Sequence, residues 1–377
     1  MKPQYEVATI LQQNIESIPY LTANTWQQRA LYAIAKCRTH ELGGHIDKCD
    51  NPSCNHIHIS YNSCRNRHCP KCQGNKREEW IKKQESELLN VPYYHIVFTL
   101  PAELNKGCLY EPSIIYALLF KTAWSVISDF ASNPKFLGAK TGMIAILHSW
   151  GQNLSLHPHL HCIVPGGGIT PNKKWKQAKG KGKFLFPVKA LSKVFRARYV
   201  DALRKELELP DKLYKELFSK DWVVYCKRPF FGPGQVVEYL GRYTHKVAIG
   251  NHRIKNTDNE QVVFSVKDYR KGGKKHLLTL SQQEFIRRFA LHILPRGFVR
   301  IRHYGILSSV LKKDTIPQLQ EVLGKPRLPE KTTFTHRQCP RCRKGQLITL
   351  FTFDGRAPPM KKVMEMIKQY FSRVVVN

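Results

Sequence analysis

Six cysteines fall within the 36 residues from Cys37 to Cys72, in the segments CRTHELGGH, CDNPSC and CRNRHCPKC. A segment this short has no room for an apolar core of its own. Cysteine knuckles, each presenting two thiols, let such segments fold around a tetrahedral metal. The opening MKPQYEVATI has no apolar leader, and the cysteines number 11. Clustered thiols in a reducing compartment point to metal rather than to disulfides. Cys49-x4-Cys54 and Cys69-x2-Cys72 are the two knuckles of one expected zinc site. Cys37, His45, Cys64 and His68 remain as a second set of four, with His40 as a competing ligand. Incidental spacing of buried free thiols does not account for the density of the first set, and stays open for the second.

Charge narrows the partner. Lys and Arg number 61 against 28 Asp and Glu, a net charge of +33 spread along the chain. Self-repulsion of that size is relieved by a polyanion, most commonly nucleic acid. Arg65, Arg67, Lys71, Lys76 and Arg77 add positive charge in and just behind the cysteine segment, so this module is expected to contact DNA. Hydrophobic residues make up 42% of 377, which excludes wholesale disorder and allows two or three domains. The stretch IIYALLFKTAWSVI (114–127) is short for a bilayer and carries Lys121. The expectation is a soluble, cytoplasmic, nucleoid-associated protein without a membrane role.

Residues 1–36 read as helices, and GNKREEWIKKQESELLN (74–90) as a charged helix. YYHIVFTLP, GMIAILHSW and HLHCIVPGG are apolar runs bounded by turn residues and read as strands. Helices are expected at 113–132, 191–208 and 232–248, and a lysine-rich loop at 171–183. A hairpin is expected to turn near Gly272-Gly273, and Ser281 with Glu284 forms a capping box. The tail carries a lone CPRC at 339–342, half a zinc site, with His336 as a possible third ligand.

The stretch HPHLH (157–161) places histidines two apart, and alternate strand residues share a face. His159 and His161 can therefore hold one metal from a single strand. Gln152, seven residues before His159, is the expected third ligand, with His157 as competitor; Pro158 bends the entry to the strand. In EYLGRYTHK, Tyr239 and Tyr243 stand at i and i+4 of a helix and share a face. Core packing is the ordinary fate of such a pair. Here Arg242 and Lys246 make the surroundings basic, and a phenol with a pKa near 10 becomes a nucleophile beside a cation or base.

Taken in order, CRNRHCPKCQ, HIVFTLP, HPHLHCIVPGGG, EYLGRYTHK and LPRGFVRIRHYGIL resemble the IS91-type insertion-sequence transposases, within the HUH (His-hydrophobic-His) single-strand nucleases. The resemblance runs from before Cys37 to about residue 310. It implies an α+β fold: an HUH-type central antiparallel sheet with flanking helices, preceded by a small Cys/His zinc-binding domain. The expected boundaries are 1–90 for the helical lead-in and zinc domain, 91–310 for the nuclease domain and 311–377 for the tail. It implies His159 and His161 as the paired ligands, Gln152 in the place of the third, and Tyr239 and Tyr243 as alternate nucleophiles. The implied activity is metal-dependent nicking and rejoining of single-stranded DNA at transposon ends and target, through a 5′-phosphotyrosine. Its cofactors are Mg²⁺ or Mn²⁺ at the histidines and structural Zn²⁺ at the cysteines; Arg242 and Lys246 join the DNA-contacting set. The rivals are a plasmid replication initiator or relaxase of the same chemistry, and a non-catalytic zinc DNA-binding protein.

Overall fold

The computed structural model describes residues 3–178, 185–230, 235–236, 246–268, 272–326 and 337–355, with the single positions 365 and 369; for 74–77, 79 and 227–230 it describes the backbone alone. The chain opens with α1 (Val7–Gln13), α2 (Ile18–Leu21) and α3 (Thr25–Ala35). Next come β1 (Gly44–Cys49), β2 (Ile57–Tyr61), α4 (Gln73–Ser86), β3 (Tyr93–Thr99), α5 (Asn105–Tyr110) and α6 (Pro112–Ser132). A hairpin of β4 (Gly142–Trp150) and β5 (Leu156–Pro165) leads to β6 (Gly167–Ile169) and β7 (Trp175–Gln177). After α7 (Val188–Glu206), α8 (Asp211–Ser219) and β8 (Val224–Phe230) lie β9 (Ile254–Asn256), β10 (Gln261–Asp268) and β11 (Lys274–Ser281). The chain continues through α9 (Gln282–Ala290), β12 (Ile301–Gly305), α10 (Lys312–Leu323) and β13 (Leu347–Phe353).

The fold is α+β, built on a five-stranded antiparallel sheet in the order β12-β4-β5-β3-β8. Both faces of β4 and β5 are covered, which is why their sequences are apolar runs rather than alternations. One face presents Ile96, Phe98, Ala145, Leu147, Leu160, Cys162 and Val164 to α6 and α7. The other presents Ile144, Ile146 and Ile163, packed with Val236 and with Ile316 and Leu319 of α10. Helix α6 has the length and composition of a membrane span, but its Ile115, Leu119, Phe120, Ala123 and Ile127 are fully buried in the first of these cores. Pro112 starts it at a position where no helical N–H is needed.

The remaining strands form smaller sheets. The β10–β11 hairpin runs in unbroken register from Gln261↔Ser281 to Asp268↔Lys274, and Ser281 Oγ accepts the backbone N–H of Glu284 at 3.2 Å to cap α9. The carboxylate of Glu284 binds Arg287 and Arg288.

The expected boundaries at 90 and 310 cut across the packing. Helices α1 and α3 share a core with Ile249, Phe264, Phe285 and Phe289. Strand β13 pairs with β1, giving a sheet β13-β1-β2 from both ends of the chain.

Candidate active site and metal-binding clusters

β5 is the central strand of the main sheet, and His159 and His161 share its face with Ile163. A single irregularity sets what stands opposite them. Trp150 pairs with Leu156, yet His148 pairs with His159, so β5 carries one extra residue around Pro158, against Ser149. Such a bulge re-aims the side chains beyond it, and proline, with no N–H to give to the ladder, suits that position. The result is a cluster of His148, His159 and His161, with one ring nitrogen of each within 4.8 Å of the others.

The hydrogen bonds settle how two of these rings are held. His159 Nδ1 lies 2.6 Å from the carbonyl oxygen of His157, which only accepts, so Nδ1 carries the proton and Nε2 the free lone pair. His157, a rival ligand in the sequence, thus contributes its backbone oxygen instead. His161 Nδ1 lies 2.9 Å from Nε2 of His95, a buried neighbour on β3, and the two rings stack. The Nε2 atoms of His159 and His161 approach to 3.1 Å. Two nitrogens each about 2.1 Å from one cation, at a right angle, stand about 3.0 Å apart. Burial pushes the pKa of His159 down to about 4; burial, with His148 and His159 beside it, pushes His161 well below the usual range. Both are therefore neutral imidazoles at neutral pH, the form that binds metal. Ring stacking on Trp150 at 4.6 Å orients His148.

Gln152 occupies the turn of the hairpin, four residues past His148, where its carbonyl oxygen accepts from Arg253 at 2.5 Å. His148 stands on the facing strand beside the pair, a further imidazole for the third place, for which the sequence offered Gln152. Its one trace in the sequence is a lone imidazole in the apolar run GMIAILHSW. A regular hairpin register would have set it opposite Pro158 and on the wrong face.

Tyr239, Tyr243 and Arg242 lie outside the described residues, but the positions on either side of them are placed. Val236 is fully buried on the histidine face, with Ile144, Ile146 and Ile163. The charge of Lys246 bears on His159 and His161. Arg300, also unremarked in the sequence, joins the two regions: its carbonyl accepts from Leu147 N at 3.0 Å, and its buried guanidinium donates to Lys246 O at 2.9 Å.

The cysteines group differently from the expected pairing. Cys37, Cys64, Cys69 and Cys72 form one cluster, with sulfur separations of 3.5 Å (Cys37–Cys72) and 3.6 Å (Cys64–Cys72 and Cys37–Cys69). It sits between the end of α3 and the start of α4. Four thiols this close do not all ionise without a cation. Hydrogen bonds from Cys37, Cys64 and Cys69 push Cys72 far down, and those with Cys37, Cys64 and Cys72 push Cys69 far up. Cys49 and Cys54 stand elsewhere, with Cys339 and Cys342.

His45 and His68 belong to neither cluster. His45 pairs with Asp47 at 3.2 Å. His68 is buried, and its Nε2 accepts from Leu294 N at 3.3 Å; burial, then Arg67 and Arg300, hold its pKa well below the usual range. Arg67 also turns inward, donating to the carbonyls of Phe298 and, at 2.8 Å, Pro295. It ties the thiol cluster to the LPRGF turn rather than facing a partner. Arg65 is exposed, with φ of 53°. Lys71 pairs with Glu6. The side chains of Lys76 and Arg77 lie outside the described residues, as does His336.

Two family models match the chain. One described as a putative transposase covers residues 142–314, and a transposase zinc-binding domain covers 9–100. The putative transposase y4qJ of Sinorhizobium fredii (strain NBRC 101917 / NGR234) is 40% identical over 389 residues, covering 94% of this chain and 97% of that protein. The transposase for insertion sequence element IS801 of Pseudomonas savastanoi pv. phaseolicola is 29% identical over 304 residues, covering 76% of this chain and 72% of its own. No solved structure matches the chain. The putative-transposase match holds the histidine hairpin, both tyrosines and Arg300; the zinc-domain match holds Cys37 to Cys72.

Proposed function

This chain belongs to the IS91-type transposases, and from that membership we propose that it nicks and rejoins single-stranded DNA at the histidine face of its central sheet, in a rolling-circle transposition. One observation carries the reading. Three imidazoles converge on that face, and Val236 and Lys246, which bracket the segment bearing Tyr239 and Tyr243, are both placed beside it.

His148, His159 and His161 would hold a divalent cation, Mg²⁺ or Mn²⁺, with imidazole better suited to Mn²⁺. Bound there, the cation would draw negative charge from the scissile phosphate as it develops. The chain's own groups do the rest. His157 O and His95 Nε2 fix the rings so that the Nε2 atoms of His159 and His161 face the site. A tyrosine oxygen attacks phosphorus in line, losing its proton as the P–O3′ bond breaks and the 3′ oxygen takes one up. A 5′-phosphotyrosine and a free 3′-OH result. The phosphotyrosine keeps the energy of the broken linkage, so rejoining needs no ATP. The second tyrosine can attack another phosphate while the first is occupied, as transfer between transposon end and target requires. Arg242, Lys246 and Arg65 would steady the DNA backbone. The protein would act in the cytoplasm, at the nucleoid.

The test is incubation with single-stranded oligonucleotides of transposon-end sequence and Mn²⁺. A covalent protein–DNA adduct is expected with the native chain and with at least one single Tyr→Phe variant, and none with Y239F/Y243F. An adduct that survives loss of both tyrosines would overturn the assignment of the nucleophiles.

A further inference from the structure

Neither family match reaches Cys339 or Cys342. Yet these two thiols complete the Cys49–Cys54 knuckle, 285 to 293 residues away in the chain. We propose that Cys49, Cys54, Cys339 and Cys342 hold a second structural zinc, which clasps the C-terminal strand onto the N-terminal domain.

The geometry is that of a four-sulfur site. Cys49 and Cys342 sulfurs are 3.7 Å apart, and Cys54 and Cys339 sulfurs 3.8 Å. Four sulfurs about 2.3 Å from a tetrahedral zinc stand about 3.8 Å from one another. A disulfide needs about 2.05 Å, and all four thiols are free. Cys49 and Cys339 are buried.

The backbone around the sulfurs is shaped for ligation. Gly345 N–H donates to Cys342 Sγ at 3.4 Å. Cys339 N–H donates to Gly345 O at 2.8 Å, and Arg343 N–H to Cys339 O at 2.9 Å. Arg343 takes a left-handed φ of 55° to close this turn. A Cβ on Gly345 would lie 2.6 Å from the sulfur of Cys49, so the turn admits glycine alone. Asp50 fastens the two knuckles: its N–H donates to Gln346 O at 2.9 Å, and its Oδ1 accepts Gln346 N–H at 2.7 Å.

The small sheet also needs such a site. Ile46 is the buried centre of its apolar cluster, ringed by half-exposed Ile57, Ile59, Phe351 and Phe353. The adjoining cluster is made of the cysteines themselves and Leu347. So little buried apolar area does not hold three strands against chain entropy, and a metal commonly supplies the difference in folds of this size.

The test is zinc content of the full-length chain by elemental analysis, with amide exchange of Leu347–Phe353. Two zinc ions per chain are expected in the native protein and one in C339S/C342S, with exchange of β13 rising at least ~10-fold as its clasp is lost. Loss of both ions through global unfolding would imitate a result against the proposal, so C342H is the companion variant. With Co²⁺ in place of zinc it should bind two ions, and half of the visible absorption should shift from a four-sulfur to a three-sulfur, one-nitrogen spectrum. One ion per native chain, two ions retained in C339S/C342S, or a C342H spectrum identical to the native one would each overturn it.

Discussion

The histidine cluster and the cluster of Cys49, Cys54, Cys339 and Cys342 are both shaped to hold a metal, but they stand on opposite kinds of ground. The histidines project from the middle of a sheet whose other face is packed by α6 and α7. That packing is apolar and calls on no ligand of its own. The small sheet β13-β1-β2, in contrast, has a thin apolar centre and depends on its ligands. Loss of metal should therefore silence the first region and unfold the second.

The sharpest break in that contrast is H159A/H161A. Cleavage should fall by about 1000-fold or more, since metal stabilisation of a phosphoryl transfer amounts to several kcal/mol. The melting temperature and zinc content should stay near native, and loss of zinc would show that the two regions are coupled. Next in size is H148A against Q152A. H148A should lower metal affinity about 10- to 100-fold, read as a raised Mn²⁺ requirement in the cleavage assay, while Q152A changes it less than about 3-fold. The reverse ranking would make Gln152 the third ligand.

On the thiol side, C72S should destabilise the chain by several kcal/mol and release zinc, measured by urea unfolding and metal analysis. The smallest effect separates a structural buried histidine from the proposed ligands. His292 is fully enclosed, with Nε2 donating to Leu154 O at 3.0 Å and Nδ1 at 3.2 Å from Ser149 Oγ, and burial pushes its pKa down to about 4. The unfolded chain takes up this proton near pH 6.5 and the folded chain does not. Stability is therefore full above about pH 6.5 and falls as the pH drops through that value toward 4, by about 2 kcal/mol at pH 5 from this residue. The urea midpoint should show that slope in the native chain and a smaller one in H292N.

How much was legible follows distance along the chain and regularity of the backbone. Strands at 93–99, 142–150 and 156–165 announce themselves as apolar runs, and the His-x-His pair follows from strand alternation. The third histidine does not, because its partnership with His159 hangs on one extra residue at Pro158. The cysteines were legible as ligands but not as groups. Spacing paired Cys49 and Cys54 with Cys69 and Cys72, whereas β1 carries the first pair away toward the C-terminal strand. His68 and Arg67 read as ligand and DNA contact because their types allow it. Burial against Leu294 to Phe298 gave them structural work instead.

The amino-acid sequence by itself determined the chemistry available to this protein: thiols in knuckles, alternating imidazoles, a tyrosine pair and a strongly basic chain. Residue type, short-range spacing and charge are properties of neighbours, and neighbours are what a sequence lists. Tertiary structure alone decided the memberships: His148 with His159 and His161, Cys339 and Cys342 with Cys49 and Cys54, Arg300 with Lys246. Each depends on strand register or on a turn that brings distant segments together, and register is fixed by the packing of the whole sheet rather than by any stretch of it.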